Sequence, residues 1–245
     1  MLSTAQNSLL APLAANLARL RERMARAAAQ AGRNPDALTL IAVSKGQPAE
    51  RIAAAAQLGL RDFGENYVAE ALPKIAQLAS QGLCWHFIGR VQANKTRIIA
   101  GHFDWVHSVD RSEVAGRLSA QRSHFVPALN LCLQVNVLGE ASKAGVAPQA
   151  LPALIDAVQG LPRIRLRGLM GMLPYEASPA LQAEGFGRLR QLLEAAQARG
   201  IALDTLSMGM SADLEAAVTQ GATHLRIGTA LFGERSAGLP TSSVE

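Results

Sequence analysis

Aromatic residues are scarce: two Trp, two Tyr and six Phe make up 4% of the 245 residues. A surface that holds single-stranded nucleic acid by stacking needs several exposed rings, so this function class is poorly supplied. The net charge of +5 favours anionic ligands but does not by itself point to nucleic acid. There are only two cysteines, Cys84 and Cys132, and both lie in apolar runs. They read as buried thiols of a reducing compartment rather than a disulfide. The five histidines and two cysteines show no paired ligand spacing, so no metal site is expected. No unbroken apolar segment opens the chain, because Asn16, Arg19, Arg21, Glu22 and Arg23 interrupt its hydrophobic residues. That argues against an export signal or a membrane span there and predicts a soluble cytoplasmic protein. Walker A loops and serine nucleophile elbows are also missing.

What is present is core material, 49% of the chain being hydrophobic. Residues 4–31 form an Ala/Leu/Arg helix pattern with Leu9, Leu13, Leu17, Leu20 and Met24 three or four apart. Gly32 and Asn34-Pro35 end it. Its arginines at 19, 21, 23 and 26 read as a solvated face, diluted by Glu22 and alanines.

From residue 38 short apolar runs alternate with helical patterns. The strands are expected at 38–44, 62–64, 84–88, 105–109, 128–137, 164–172, 205–208 and 224–227. The helices between them are expected at 49–58, 67–79, 92–100, 112–121, 148–159, 179–199 and 212–220. Strict alternation argues for a parallel α/β sheet, and eight units argue for one closed (β/α)8 barrel domain over residues 1–235. An open doubly wound sheet is the weaker alternative, because no GxGxxG turn follows the first strand. The extra N-terminal helix is placed to cover the last strand. Residues 236–245, rich in Ser and Pro, read as a flexible tail.

Chemistry in such barrels sits at the C-terminal ends of the strands. The first strand ends in Lys45, where an amine resists burial. It is either a snorkelling side chain or an amine ready to condense with an aldehyde. The second ends in Gly64-Glu65-Asn66 and the seventh in Ser207-Met208-Gly209-Met210-Ser211. The eighth ends in Arg226-Ile227-Gly228-Thr229. The last two are Gly- and hydroxyl-rich and lie where barrels hold phosphate. A lysine for a carbonyl and a phosphate cup describe either a sugar phosphate in a Schiff-base aldolase or pyridoxal 5′-phosphate (PLP). Arg226 favours PLP, since it is placed to face a pyridine nitrogen. Its alternative role is a rim salt bridge, for instance to Glu65. His86 either touches the ligand or hydrogen-bonds in the core, the core role being the simpler. Met170, Met172, Met208 and Met210 read as barrel packing.

At these residues the chain resembles the PLP-binding homeostasis proteins of the YggS/PROSC type, which are related in fold to the N-terminal barrel of alanine racemase. The matching segments are AVSK (42–45), FGENYVAE (63–70), WHFIG (85–89), QANK (92–95), SKAG (142–145), RGLMGM (167–172), SMGMSADLEAA (207–217) and RIGTALFGER (226–235). The resemblance implies that Lys45 holds PLP as an internal aldimine. It implies that Ser211, Gly228 and Thr229, with the backbone at Met210, hold the phosphate. Asn66 would lie near the ring and Arg226 at its nitrogen, and Lys143 matches a family lysine as an auxiliary residue; His86, auxiliary by its position alone, is not part of what the resemblance implies. Two departures, Gly46-Gln47 after AVSK and Arg90-Val91 after WHFIG, sit at the barrel mouth.

The implied function is a non-catalytic PLP carrier of intracellular PLP homeostasis that delivers cofactor to apo-enzymes. A monomer without nucleic-acid or membrane partners is expected. The alternative is a PLP-dependent racemase-like enzyme. That reaction needs a second acid–base group from a further domain, and the two tyrosines, Tyr67 and Tyr175, belong to none.

Overall fold

In the strands, successive side chains point to opposite faces, and this chain uses the two faces differently. In Cys84-Trp85-His86-Phe87 and His224-Leu225-Arg226-Ile227, Trp85, Phe87, Leu225 and Ile227 join the main apolar core with the helices. The polar partners turn the other way. A computed structural model describes residues 4–140 and 144–233. The expected tail at 236–245 and Lys143 lie outside the described residues.

The chain begins with α1 (Thr4–Gln30) and then alternates. The order is β1 (Thr39–Val43), α2 (Ala49–Gln57), β2 (Asp62–Glu65), α3 (Val68–Gln77), β3 (Cys84–Phe87), α4 (Thr96–His102) and β4 (Trp105–Val109). It continues through α5 (Ser112–Gln121), β5 (Leu129–Gln134), α6 (Leu151–Val158), β6 (Ile164–Met170), α7 (Pro179–Ala198), β7 (Thr205–Ser207), α8 (Leu214–Thr219), β8 (His224–Ile227) and α9 (Thr229–Phe232). The strands are parallel and close in sequence order, β8 pairing back onto β1 with Ile41 opposite Arg226. The (β/α)8 barrel is therefore the architecture.

Two helix starts differ from expectation. The helical patterns at 92–100 and 148–159 open as 3-10 turns, Ala93–Lys95 and Pro148–Ala150, before α4 and α6. Tighter turns are common at helix starts. Helix α9 was not foreseen.

Helix α1 packs on α2, α8 and α9 and so covers the seam where the barrel closes. Leu13, Leu17, Leu20 and Met24 are buried, while Leu9 is exposed. The solvated reading holds for Arg19, Arg21 and Arg26, whereas Arg23 pairs with Glu215 of α8 at 2.8 Å. Arg33 donates to the Val218 and Ala222 carbonyls, each at 2.7 Å, tying off the C-terminal end of α8. Met170 and Met208 are buried packing residues, but Met172 is exposed and Met210 half-buried. Both Met172 and Met210 lie beyond strand ends, outside the packed layers.

Candidate functional site

Lys45 follows β1 at the C-terminal rim and is half-buried. The turn that carries it is anchored from behind. Lys74 of α3 is buried, and its Nζ donates to the Ser44 carbonyl (2.9 Å), Glu65 Oε1 (2.7 Å) and Glu70 Oε1 (2.6 Å). Ser44 Oγ donates to the same Glu65 oxygen at 2.6 Å, and the Gly46 N–H donates to Glu70 Oε1. Residues 44 and 46, on either side of Lys45, are thereby pinned to a buried ion cluster. Burial pushes the Glu65 carboxyl upward, opposed by the Lys74 charge and hydrogen bonds. Its Oε2 has no partner. Lys74 was not among the sequence candidates. Its position in ALPK reads as an ordinary helix lysine, and only the packing of α3 on β2 turns it inward.

The loops after β7 and β8 meet. Gly209 has φ +94°, and a Cβ there would lie 2.5 Å from that of Ala217, so the turn requires glycine. The Met210 N–H donates to Asp213 Oδ1 at 2.5 Å, so this backbone donor is engaged within its own loop. Ser211 Oγ accepts from the Ala230 N–H at 3.3 Å, which joins the loop to the first turn of α9 beside Gly228 and Thr229. From outside, Arg23 donates to the Ser211 carbonyl at 3.1 Å. The structure thus brings Ser211, Gly228 and Thr229 together on adjacent strand ends, with Thr229 exposed at the mouth.

Arg226 is buried in the barrel interior. It donates to Ser207 Oγ at 2.8 Å and to the Gly171 carbonyl at 2.9 Å. The rim salt bridge to Glu65 does not form: Glu65 points to the helix layer and pairs with Lys74. Among the described residues Arg226 makes no ion pair, and burial brings its guanidinium down to about 10.

Ser207 continues inward. Its Oγ lies 2.8 Å from His107 Nδ1, His107 Nε2 lies 2.9 Å from His86 Nδ1, and His86 Nε2 lies 3.0 Å from Asp62 Oδ1. Arginine only donates and carboxylate only accepts. With both rings neutral, every bond then points the same way, from Arg226 to Asp62. Burial first, then the neighbouring His86, His224 and the Arg226 cation, hold His107 well below the usual histidine range. Burial brings His224 down to about 4. Burial alone would raise Asp62, but hydrogen bonds from His86 and Cys84 outweigh it and lower the group.

His86 is therefore a core residue of a hydrogen-bonded chain. Asn66 follows β2 at the rim. Its Oδ1 is buried without a partner, and a Cβ on Gly89 would lie 2.0 Å from its carbonyl oxygen. The close approach of the two strand ends thus depends on Gly89. Both cysteines are free thiols, Cys132 buried and Cys84 half-buried. The expectation of no metal group rested on spacing along the chain. In the fold, donor atoms of Asp62, Cys84 and His86 all lie within 4.8 Å of one another.

The profile of the alanine racemase N-terminal domain matches residues 13–236. A pyridoxal phosphate homeostasis protein of Pseudomonas aeruginosa is 56% identical, over 95% of this chain and 100% of its own length. A protein of that name from Escherichia coli K12 is 46% identical, over 91% and 97%. Among solved structures, PipY of Synechococcus elongatus with PLP bound superposes with a TM-score of 0.80 at 39% identity, covering 90% of this chain and 100% of that one.

Proposed function

The chain belongs to the alanine racemase N-terminal domain family and, within it, to the pyridoxal phosphate homeostasis proteins, and on that premise we propose that it holds PLP at the C-terminal mouth of the barrel without turning over substrate. The protein binds PLP and serves its intracellular homeostasis. PLP supplies an aldehyde for a primary amine and, when its ring nitrogen is protonated, an electron sink. The donor set suits such a ligand. It combines an amine at Lys45, a Ser211 hydroxyl and Thr229 for the phosphate, the unpartnered Asn66 Oδ1 near the ring, and a buried cation at Arg226.

Lys45 Nζ is the attachment point. The Lys74–Glu65–Glu70 cluster fixes the backbone on both sides of it. Ser211 and the first turn of α9 orient the phosphate. The Met210 N–H, engaged by Asp213, contributes by shaping this loop.

Arg226 carries the non-catalytic reading. It is buried, donor-only and bonded to neutral oxygens of Ser207 and Gly171. A donor at the ring nitrogen leaves that nitrogen unprotonated, which weakens the electron sink. A racemase also needs a second acid–base group, and the two tyrosines are exposed, Tyr67 by 64% and Tyr175 by 83%. The reading extends to delivery of PLP to apo-enzymes, as a monomer. The closed sheet leaves no free strand edge for pairing. Two unpaired thiols suit the cytoplasm. No helix among the described residues is long and apolar enough to cross a membrane.

One experiment tests site and role together. The PLP-loaded protein is incubated with L- and D-amino acids in deuterated water, then reduced with borohydride and mapped. The pyridoxyl group is expected on Lys45, with no repeated α-proton exchange or inversion. Label on Lys95 would move the site, and multiple turnovers abolished by Lys45→Ala would make the protein an enzyme.

A further inference from the structure

The floor of the barrel, opposite the Lys45 mouth, holds three side chains that PLP binding does not use. Asp62 and Cys84 are the first residues of β2 and β3 and stand opposite each other in register. His86 lies two residues beyond Cys84 on the same face of β3. Its Nε2 is 3.0 Å from Asp62 Oδ1 and 3.4 Å from Cys84 Sγ. We infer that Asp62, Cys84 and His86 form a binding site for a zinc-class divalent cation.

Four observations carry this. First, metal–ligand bonds of about 2.0–2.3 Å around a tetrahedron put neighbouring donor atoms roughly 3.2–3.6 Å apart, and the measured separations already approach that. Second, all three donors sit on paired strands, and the His86 ring is held by stacking on Trp105 (centroids 5.6 Å apart, planes at 13°). Little reorganisation is needed to bind. Third, the second ring nitrogen of His86 is engaged by His107 at 2.9 Å, the outer support usual for a ligating imidazole. Fourth, the Asp62 side chain is 31% exposed, which leaves a solvent path and a fourth coordination position on the outside. Thiol, imidazole and carboxylate together select zinc or cobalt(II) over magnesium or calcium.

Binding balances without redox change. The Cys84 thiol releases one proton to solvent and its sulfur bonds the metal. For Nε2 to bond the metal, the His86 ring proton moves from Nε2, where it faces Asp62, to Nδ1, and His107 takes the tautomer with its proton on Nδ1, toward Ser207 Oγ, so each ring still carries one proton. Asp62 exchanges hydrogen bonds from Cys84 and His86 for a metal–oxygen bond.

The test is titration of the full-length protein with Co2+, read as a difference spectrum against the metal-free protein. One cobalt per chain is expected, with an intense near-ultraviolet thiolate band that Zn2+ displaces. Cys84→Ser retains Cys132 and should lose the band. Asp62→Asn should weaken cobalt binding at least about ten-fold while the far-ultraviolet circular dichroism is kept. Absence of the band at one equivalent would overturn the site and leave Asp62, Cys84 and His86 as a hydrogen-bonded group only. A band that persists in Cys84→Ser would overturn it too. If Cys84→Ser does not fold, unchanged affinity in Asp62→Asn decides against it.

Discussion

The layer between sheet and helices and the interior of the barrel are both buried, but they are built from different chemistry. The outer layer is continuous and apolar, running from Leu13 and Leu17 of α1 through Phe63, Phe87, Val106, Leu131 and Leu225 to Phe232. Its main polar inclusion near the site is the Lys74–Glu65–Glu70 cluster behind Lys45. The interior has a small separate apolar group, Trp105, Cys132 and Met170. Around that group lie His86, His107, His224, Ser207 and Arg226. Barrel interiors are more often filled by branched aliphatic residues. Here stability comes from the outer face of each strand, and the inner face is given to hydrogen bonds that run from floor to mouth.

Breaking the outer layer should cost most. Phe63 is fully buried against Trp85, with ring centroids 5.9 Å apart. Phe63→Ala is expected to lose roughly 3–5 kcal/mol of unfolding free energy, measured by denaturant titration. A loss equal to that from an interior hydroxyl would show that the two layers are not energetically distinct.

Breaking the interior should cost less and act locally. Ser207→Ala removes the oxygen between Arg226 and His107 and leaves both buried groups short of a partner. About 1–3 kcal/mol is expected, together with an altered absorption spectrum of bound PLP. An unchanged spectrum would separate Ser207 from the positioning of Arg226.

The pH dependence compares the two regions by sign, because they act in opposite directions. His224 and His107 titrate below their usual range when folded. Between about pH 4 and 6.5 the unfolded chain therefore binds more protons at His224, and stability rises with pH by at most ~1.4 kcal/mol per unit for each such histidine. His107 acts in the same direction. Glu65, raised by burial, makes stability fall as pH rises through its own range. Two histidines against one carboxylate predict a net gain from pH 5 to pH 7. Urea titrations at the two values check this, and His224→Gln should flatten the slope. A slope unchanged by that substitution would remove His224 from the account.

Much of the architecture was legible because it depends on local pattern. Strands 105–109 and 224–227 and helix 112–121 coincide with the observed elements, since strand and helix alternate there with short turns. Lys45, Ser211, Gly228 and Thr229 were legible as strand-end residues once eight strands were counted. Less legible was which way a buried polar side chain points. Arg23 looked like a surface charge, Glu65 looked like an alternative partner for Arg226, and Lys74 was not singled out. Helix α9 was missed because four residues are too short to show a period.

The sequence by itself determined the alternation of strands and helices, the closed eight-unit barrel and the lysine at the end of the first strand. Each follows from spacing within a few residues, where periodicity and turn chemistry act. Tertiary structure decided which polar groups meet. Closure places Ile41 beside Arg226. Adjacent strands place Asp62 beside Cys84, and the barrel interior joins His107 to Ser207 across 100 residues of chain. These contacts depend on register and on the inward or outward sense of each strand, properties of the assembled sheet that no single segment carries.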